Sequence, residues 1–199
     1  MGYTREQVEA TVKAKGYVYF EDTNNKGFDV NIIGVRNSAT GQKVTNAFDD
    51  LITLSYKDET GAWKYHEWPA TTDPGKKGVM EYHNAAGVAR LVEGQYRGSH
   101  GIGLHQGKYE ALRQAKNVKV YRDANRDLSY DENKIAEGVF GINIHKAGAD
   151  STYVENWSEG CQVFKKSADF EEFMKICRKA REKHGNSFTY TLIESSDIK

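Results

Sequence analysis

Residues Gly141 to Phe164 read GINIHKAGADSTYVENWSEGCQVF. The start, Gly141-Ile142-Asn143-Ile144-His145, alternates apolar and polar residues, the period of a half-buried strand. Ile142 and Ile144 then face a core, and Asn143 and His145 face away from it. Val139 and Phe140 extend the strand upstream. Lys146 to Trp157 reads as a loop that returns to Ser158-Glu159-Gly160-Cys161, and Cys161 to Phe164 reads as a second short strand. This reading predicts a sheet in which a histidine ends one strand and a cysteine begins the next.

The surrounding chain is β-rich. Phe28 to Arg36 (FDVNIIGVR) is dense in β-branched residues, and Asp49 to Tyr56 with Trp63 to Ala70 forms a hairpin over the turn Asp58 to Gly61. Asp73-Pro74-Gly75-Lys76 has the residues of a type II turn. Val88 to Tyr96, Val118 to Arg122 and Ser187 to Glu194 are further strands. Gly94 to Gly107 (GQYRGSHGIGLHQG) holds five glycines and reads as a shaped loop. Two helices stand out. Thr4 to Lys15 opens on a capping box, Thr4 with Gln7. Ala168 to His184, with Ser167 as N-cap, lines up Phe170, Phe173, Met174, Cys177 and Ala180 on one face and ends at Gly185. Cys177 is therefore a core thiol.

The 199 residues carry 28 Lys+Arg and 28 Asp+Glu, so no basic field points to nucleic acid or an anionic membrane. Aromatic residues are interleaved with acids as well as bases, which argues against a nucleic-acid platform. No apolar run reaches the ~20 residues of a membrane span. The polar N-terminus lacks the apolar segment of a signal peptide. Two cysteines, Cys161 and Cys177, are no disulfide framework.

A free thiol ionises near pH ~8.5, so a nucleophilic cysteine needs a neighbouring base. His145 and Cys161 supply that pair of residue types. Gly160 lets the main chain approach a substrate, and amides beside a nucleophile can hold an oxyanion. A catalytic Cys161 is expected to alkylate fast near neutral pH. The alternative is that both residues serve only packing.

The histidine, the loop and Ser158-Glu159-Gly160-Cys161 resemble the signature of the L,D-transpeptidase catalytic-domain family. Glu67 to Gly75 (EWPATTDPG) resembles an early strand and turn of that family. The whole sequence is also similar to phage and prophage proteins sharing NIIGVR, TTDPG, VYRDANRD and INIH…WSEGCQV. The resemblance implies a mainly β (α+β) fold: an L,D-transpeptidase-like β-sandwich with a short N-terminal helix and one long helix after the active-site strand. It implies one catalytic domain over 1–199, in which 1–90 is a candidate substrate-recognition part.

It also implies cysteine chemistry on peptidoglycan stem peptides at an L,D bond, without a cofactor or metal. Cys161 is the nucleophile, His145 the base, Lys146 orients the imidazole through its carbonyl, and the Gly160 and Cys161 amides hold the oxyanion. Ser158, Glu159, Trp157, Asn143, Ser99, His105 and Gln106 are candidate substrate contacts. Trp157 either walls the cleft or anchors the loop. Glu155 and Glu159, close to Cys161 in sequence, would raise its pKa or meet a cationic substrate group. Many family members have His or Lys where Glu159 stands, and an Arg or Asn soon after the cysteine where this chain has Gln162 and Val163. That departure leaves the acceptor open between water and an amine, with cleavage the expectation in a phage setting. With no signal peptide, the expected settings are the cytoplasm, release by lysis, or carriage in a phage virion. The competing class is a non-enzymatic structural or binding part of a virion.

Two metal signals are weak. Asp123, Asn125 and Asp127 resemble the start of a calcium loop, but Leu128 replaces its glycine and Lys134 its final glutamate, so a polar turn is the simpler reading. His100, His105, His145 and Cys161 lack the tight pair spacing of zinc ligands.

Overall fold

The structure is a computed structural model that describes residues 2–82, 84–148 and 150–199. In chain order the helices are α1 (Arg5–Ala14), α2 (Lys76–Glu81) and α3 (Ser167–His184). The strands are β1 (Asn31–Arg36), β2 (Asp50–Lys57), β3 (Trp63–Thr71), β4 (Val88–Leu91), β5 (Gly94–His105) and β6 (Tyr109–Gln114). They continue as β7 (Val118–Asp123), β8 (Ile135–Gly138), β9 (Ile144–Lys146), β10 (Gln162–Phe164) and β11 (Phe188–Glu194). The fold is mainly β, as expected, and among the described residues it has three α-helices where two were expected, α2 being the addition.

Its core departs from the expected sandwich. Eight strands close into a barrel in the order β1-β11-β5-β6-β9-β10-β3-β2, and β4-β7-β8 form a separate small sheet. The strand that makes closure possible is β5, within the stretch read as a glycine-rich loop. It pairs antiparallel with β11 on one edge and with β6 on the other. Its glycines serve close packing: a Cβ on Gly98, at φ +58°, would lie 2.8 Å from Ser187 Oγ, beside the register shift between Phe188 and Tyr190. Ser99, His100, Ile102 and His105 on the same strand are buried.

Three other expectations shift. Residues 139–143 are not strand: the amides of Phe140 and Ile142 donate to Gln114 Oε1, and Gly141 sits at φ +78°. The DPGK stretch is no type II turn, because Gly75 has φ −83° and leads into α2. At α3 the N-cap is Lys166 rather than Ser167, with no side-chain cap bond.

The barrel interior and one face of α3 share a core that includes Ile52, Leu54, Ile144, Phe164, Phe170, Phe173, Met174, Cys177 and Leu192. Each such large side chain contributes about 1.5–3 kcal/mol by leaving water. Outside the barrel, Val8 and Val12 of α1 pack on Ile33, Val35, Leu51 and Ile193. The capping box forms as read, Gln7 N–H to Thr4 Oγ1 and Thr4 N–H to Gln7 Oε1.

One charge lies deep inside. Arg36 is 1% exposed and pairs with Asp73 at 2.8 Å and Glu93 at 2.9 Å, and it donates to the Thr72 carbonyl at 3.0 Å. Asp50 accepts from Thr72 N–H and Oγ1–H nearby, and burial with the Asp73 charge raises its carboxyl to about 7. Removing one partner of such a network leaves the others charged and desolvated, which costs about 3–5 kcal/mol. Arg36→Ala is therefore expected to lower unfolding free energy by roughly that amount in urea titrations. A loss under about 1 kcal/mol would mean the carboxylates rearrange and solvate themselves.

Candidate active site

β9 and β10 lie parallel, with Gln162 beside Ile144, Val163 beside His145 and Phe164 beside Lys146. Ile144 and Phe164 belong to the barrel core. His145 and Cys161 take the opposite, outer face, as the alternation predicts. Both line a cleft of about 1010 Å³. The barrel exterior supplies His105, Tyr109, Asn143, His145 and Cys161, and the small sheet supplies Ala89 and Arg122.

The histidine is oriented from behind. His145 Nδ1 donates to the Lys146 carbonyl at 2.8 Å, and among the described residues its Nε2 has no partner, which leaves it an acceptor. Tyr109 Oη shares that carbonyl at 3.4 Å. The His105 ring stacks on His145 with centroids 4.1 Å apart, and Asn143 Nδ2 donates to His105 Nδ1 at 3.2 Å. Burial first, then the His105 charge, depress the His145 pKa to about 4. The Cys161 thiol donates to the Gly141 carbonyl at 3.3 Å. Burial raises its pKa to about 11, against the pull of the Asn143 amide and with a further push from Glu159. The resting pair is thus neutral thiol and neutral imidazole, not the ion pair a fast-alkylating cysteine requires.

The turn before Cys161 is fixed by Ser158. This buried hydroxyl accepts from the Gly160 amide at 3.1 Å and donates to the Cys161 carbonyl at 2.8 Å. Ser158 is therefore a staple and does not line the cleft. The Gly160 amide is spent on it, which removes one of the two expected oxyanion donors. Among the described residues the Cys161 amide has no protein acceptor and stays free for that role. Gly160 itself, at φ +137°, lies so close to β4 that a Cβ there would sit 2.1 Å from the Ala89 carbonyl oxygen.

Of the other expected contacts, Lys146, Glu159, Trp157, Asn143, His105 and Gln106 line the cleft. Trp157 is 40% exposed and packs against Gly148, which makes it a wall. Ser99 does not belong: it is buried, with its hydroxyl on the Tyr96 carbonyl and His100 Nδ1. His100 is away from the cleft too, its Nε2 on the Ile142 carbonyl. Glu155 is tied to Asn46 through both main chain and side chain. Both cysteines are free thiols, and Cys177 is in the core. Tyr109 and the Gly141 carbonyl escaped sequence reading. Tyr109 carries no motif, and its approach to His145 follows only from the β6–β9 pairing.

No protein-family model, no curated protein and no solved structure matches this chain.

Two outcomes follow from this geometry. Between pH 5 and 10 neither partner titrates, given a histidine near 4 and a thiol near 11. Iodoacetamide alkylation of Cys161 should then rise about tenfold per pH unit over that range, following the thiolate fraction. A plateau at neutral pH would instead reveal an ion pair. Ser158→Ala should destabilise the fold by about 1–3 kcal/mol, because it strands a buried N–H and C=O. A melting temperature equal to wild type would show that the turn holds without its staple.

Proposed function

We propose that this chain is a cysteine acyl-transfer enzyme of L,D-transpeptidase-like kind, acting on peptidoglycan stem peptides. The observation that carries the reading is the joint placement of Cys161 and His145 on adjacent strands in one open cleft, with the imidazole fixed by the Lys146 carbonyl. The resemblance around His145 and Ser158-Glu159-Gly160-Cys161 supplies the substrate class. Residues 1–199 act as one catalytic unit in this reading, in the setting of a phage lysin or virion component.

Attack begins as Cys161 Sγ adds to the carbonyl carbon before a D-residue. The thiol proton passes to His145 Nε2, which is the bare nitrogen. The developing oxyanion is met by the free Cys161 amide. As the tetrahedral adduct collapses, the C–N bond breaks and the imidazolium returns its proton to the leaving amine. A thioester remains on Cys161, and water or an amine releases it. An imidazolium stacked on a second imidazole and largely buried is a strong acid, which favours this return. Gln162 holds the strand from within, donating to the Gly160 carbonyl and accepting from Tyr190 Oη. It offers no guanidinium to a substrate, and the reading accordingly favours hydrolysis.

The high thiol pKa is the observation on the side of the second reading, a virion structural part that keeps the pair unused. Mass spectrometry of peptidoglycan incubated with wild type and Cys161→Ala separates them. New stem-cleaved or cross-linked products from wild type alone are expected, with a loss of at least about 10²-fold for His145→Ala. Identical digests from wild type and Cys161→Ala across several stem chemistries would leave the structural reading.

A further inference from the structure

The turn after β7 is partly what its sequence suggests. Asn125 Nδ2 donates to Asp127 Oδ2, and the amides of Asp127 and Ser129 donate to Asn125 and Asp127 side chains. Those bonds leave Asp123 unexplained. Its side chain is 1% exposed, and neither carboxyl oxygen has a hydrogen-bond partner. One other buried side-chain oxygen among the described residues is equally orphaned, Glu132 Oε1. The two carboxyls contact each other, acceptor against acceptor unless a proton lies between them, with the Asn125 amide near Asp123 and the charges of Asp127 and Asp131 adding to the field.

No cation of the protein answers them among the described residues. The nearby arginines are turned elsewhere, Arg122 over the Phe140 ring and Arg126 over the Tyr82 ring. The main chain closes the site on one side. A Cβ on Gly87 would lie 1.6 Å from the Asp123 carbonyl oxygen, and Tyr82 Oη donates to the Ala124 carbonyl at 2.5 Å. Two carboxyls in contact do not both ionise without a compensating charge, so either a proton lies between them or a cation answers both.

We propose that Asp123 and Glu132 are ligands of a hard divalent cation, calcium, with neutral oxygens of the loop between them and water completing its shell. Calcium takes six to eight oxygens in irregular geometry, which suits a loop better than a preformed cage. The second carboxylate comes from Glu132, two places before the Lys134 that breaks the usual spacing. Among the described residues no three acidic, histidine or cysteine side chains are grouped to hold a metal, so these two carboxylates would be its only charged ligands. Asp123 pairs with Val88, and the next residue of β4, Ala89, donates its N–H to the Glu159 carbonyl at 3.1 Å. A bound cation would thus brace the wall of the cleft that carries Ala89 and Arg122.

The test uses the full chain freed of metal by chelation, titrated with terbium and then with calcium. Tyr82, bonded to the loop, is the expected sensitiser. Expected are terbium emission that saturates at one ion per chain, its displacement by calcium, and a melting temperature raised on the order of 5 °C at about a hundredfold excess over Kd. Asp123→Asn and Glu132→Gln should each weaken calcium at least tenfold. Absence of both emission and melting shift at millimolar calcium overturns the proposal. So does an Asp123→Asn variant that melts at or above wild type and shifts as much with calcium; the carboxyls would then share a proton. If Asp123→Asn does not fold, the wild-type titration and Glu132→Gln decide alone.

Discussion

The contact on which the site depends is the approach of Gly160 to the Ala89 carbonyl. There is no space for a side chain, and the backbone takes φ +137°, a conformation other residues rarely adopt. That contact joins the barrel to the small sheet. On one side lies Cys161 at the entry to β10; on the other lies β4, whose Ala89 N–H returns a bond to the Glu159 carbonyl. The same turn reaches a third element, since Gly75 N–H donates to the Ser158 carbonyl at 2.9 Å. A three-residue strand such as β10 has little hold of its own. Its position comes from neighbours on both edges, β9 in parallel and β3 antiparallel, and from Gln162 inside the barrel.

The electrostatics of the cleft follow from where that turn places the sulfur. Cys161 and His145 sit in surroundings that disfavour charge on both, so the thiol moves up and the imidazole moves down. The two shifts widen the gap between donor and acceptor, and proton transfer at rest is uphill. A substrate that fills the cleft alters this balance only if the proton leaves the imidazolium again in a later step. The collapse to a thioester does so. In the proposed reaction His145 would then be a base that acts in passing, with charge present only while the tetrahedral adduct exists.

The sequence made the site more legible than the fold that holds it. Alternation at Ile142, Asn143, Ile144 and His145 is a local property, and it correctly separated the core face from the cleft face. The capping box and the α3 stripe are local too. Barrel closure is not. It depends on β5, whose glycines weaken any strand signal, and on side-chain bonds from Gln114 that hold residues 140–142 out of the sheet. The role of Ser158 was misread for a related reason. A serine beside a nucleophile suggests substrate, and only its two bonds across the turn show that its hydroxyl is already used.

The small sheet gives the cleft a wall that shares the barrel's core along most of its length. The barrel core is continuous through α3, whereas β4, β7 and β8 form a three-stranded sheet with short edges. Sheets of that size need an apolar face or another anchor to stand in water. Ala89, Leu91, Val118 and Val120 supply the apolar face by joining the main core. At the end of the sheet nearest the cleft Gly87, Arg122 and Asp123 meet, and there Val88 packs on Val79 and Tyr130 in a smaller cluster. Arg122 bonds the Gly87 carbonyl at 3.1 Å, which adds a side-chain tie to the β4–β7 ladder at that end. The Asp123 carboxyl lies at that end, opposite Val88, where a compensating charge would act on the last pair of the ladder. The end of the wall and the turn at Gly160 are then joined through the same residue, Ala89, whose N–H bonds the Glu159 carbonyl and whose carbonyl meets Gly160.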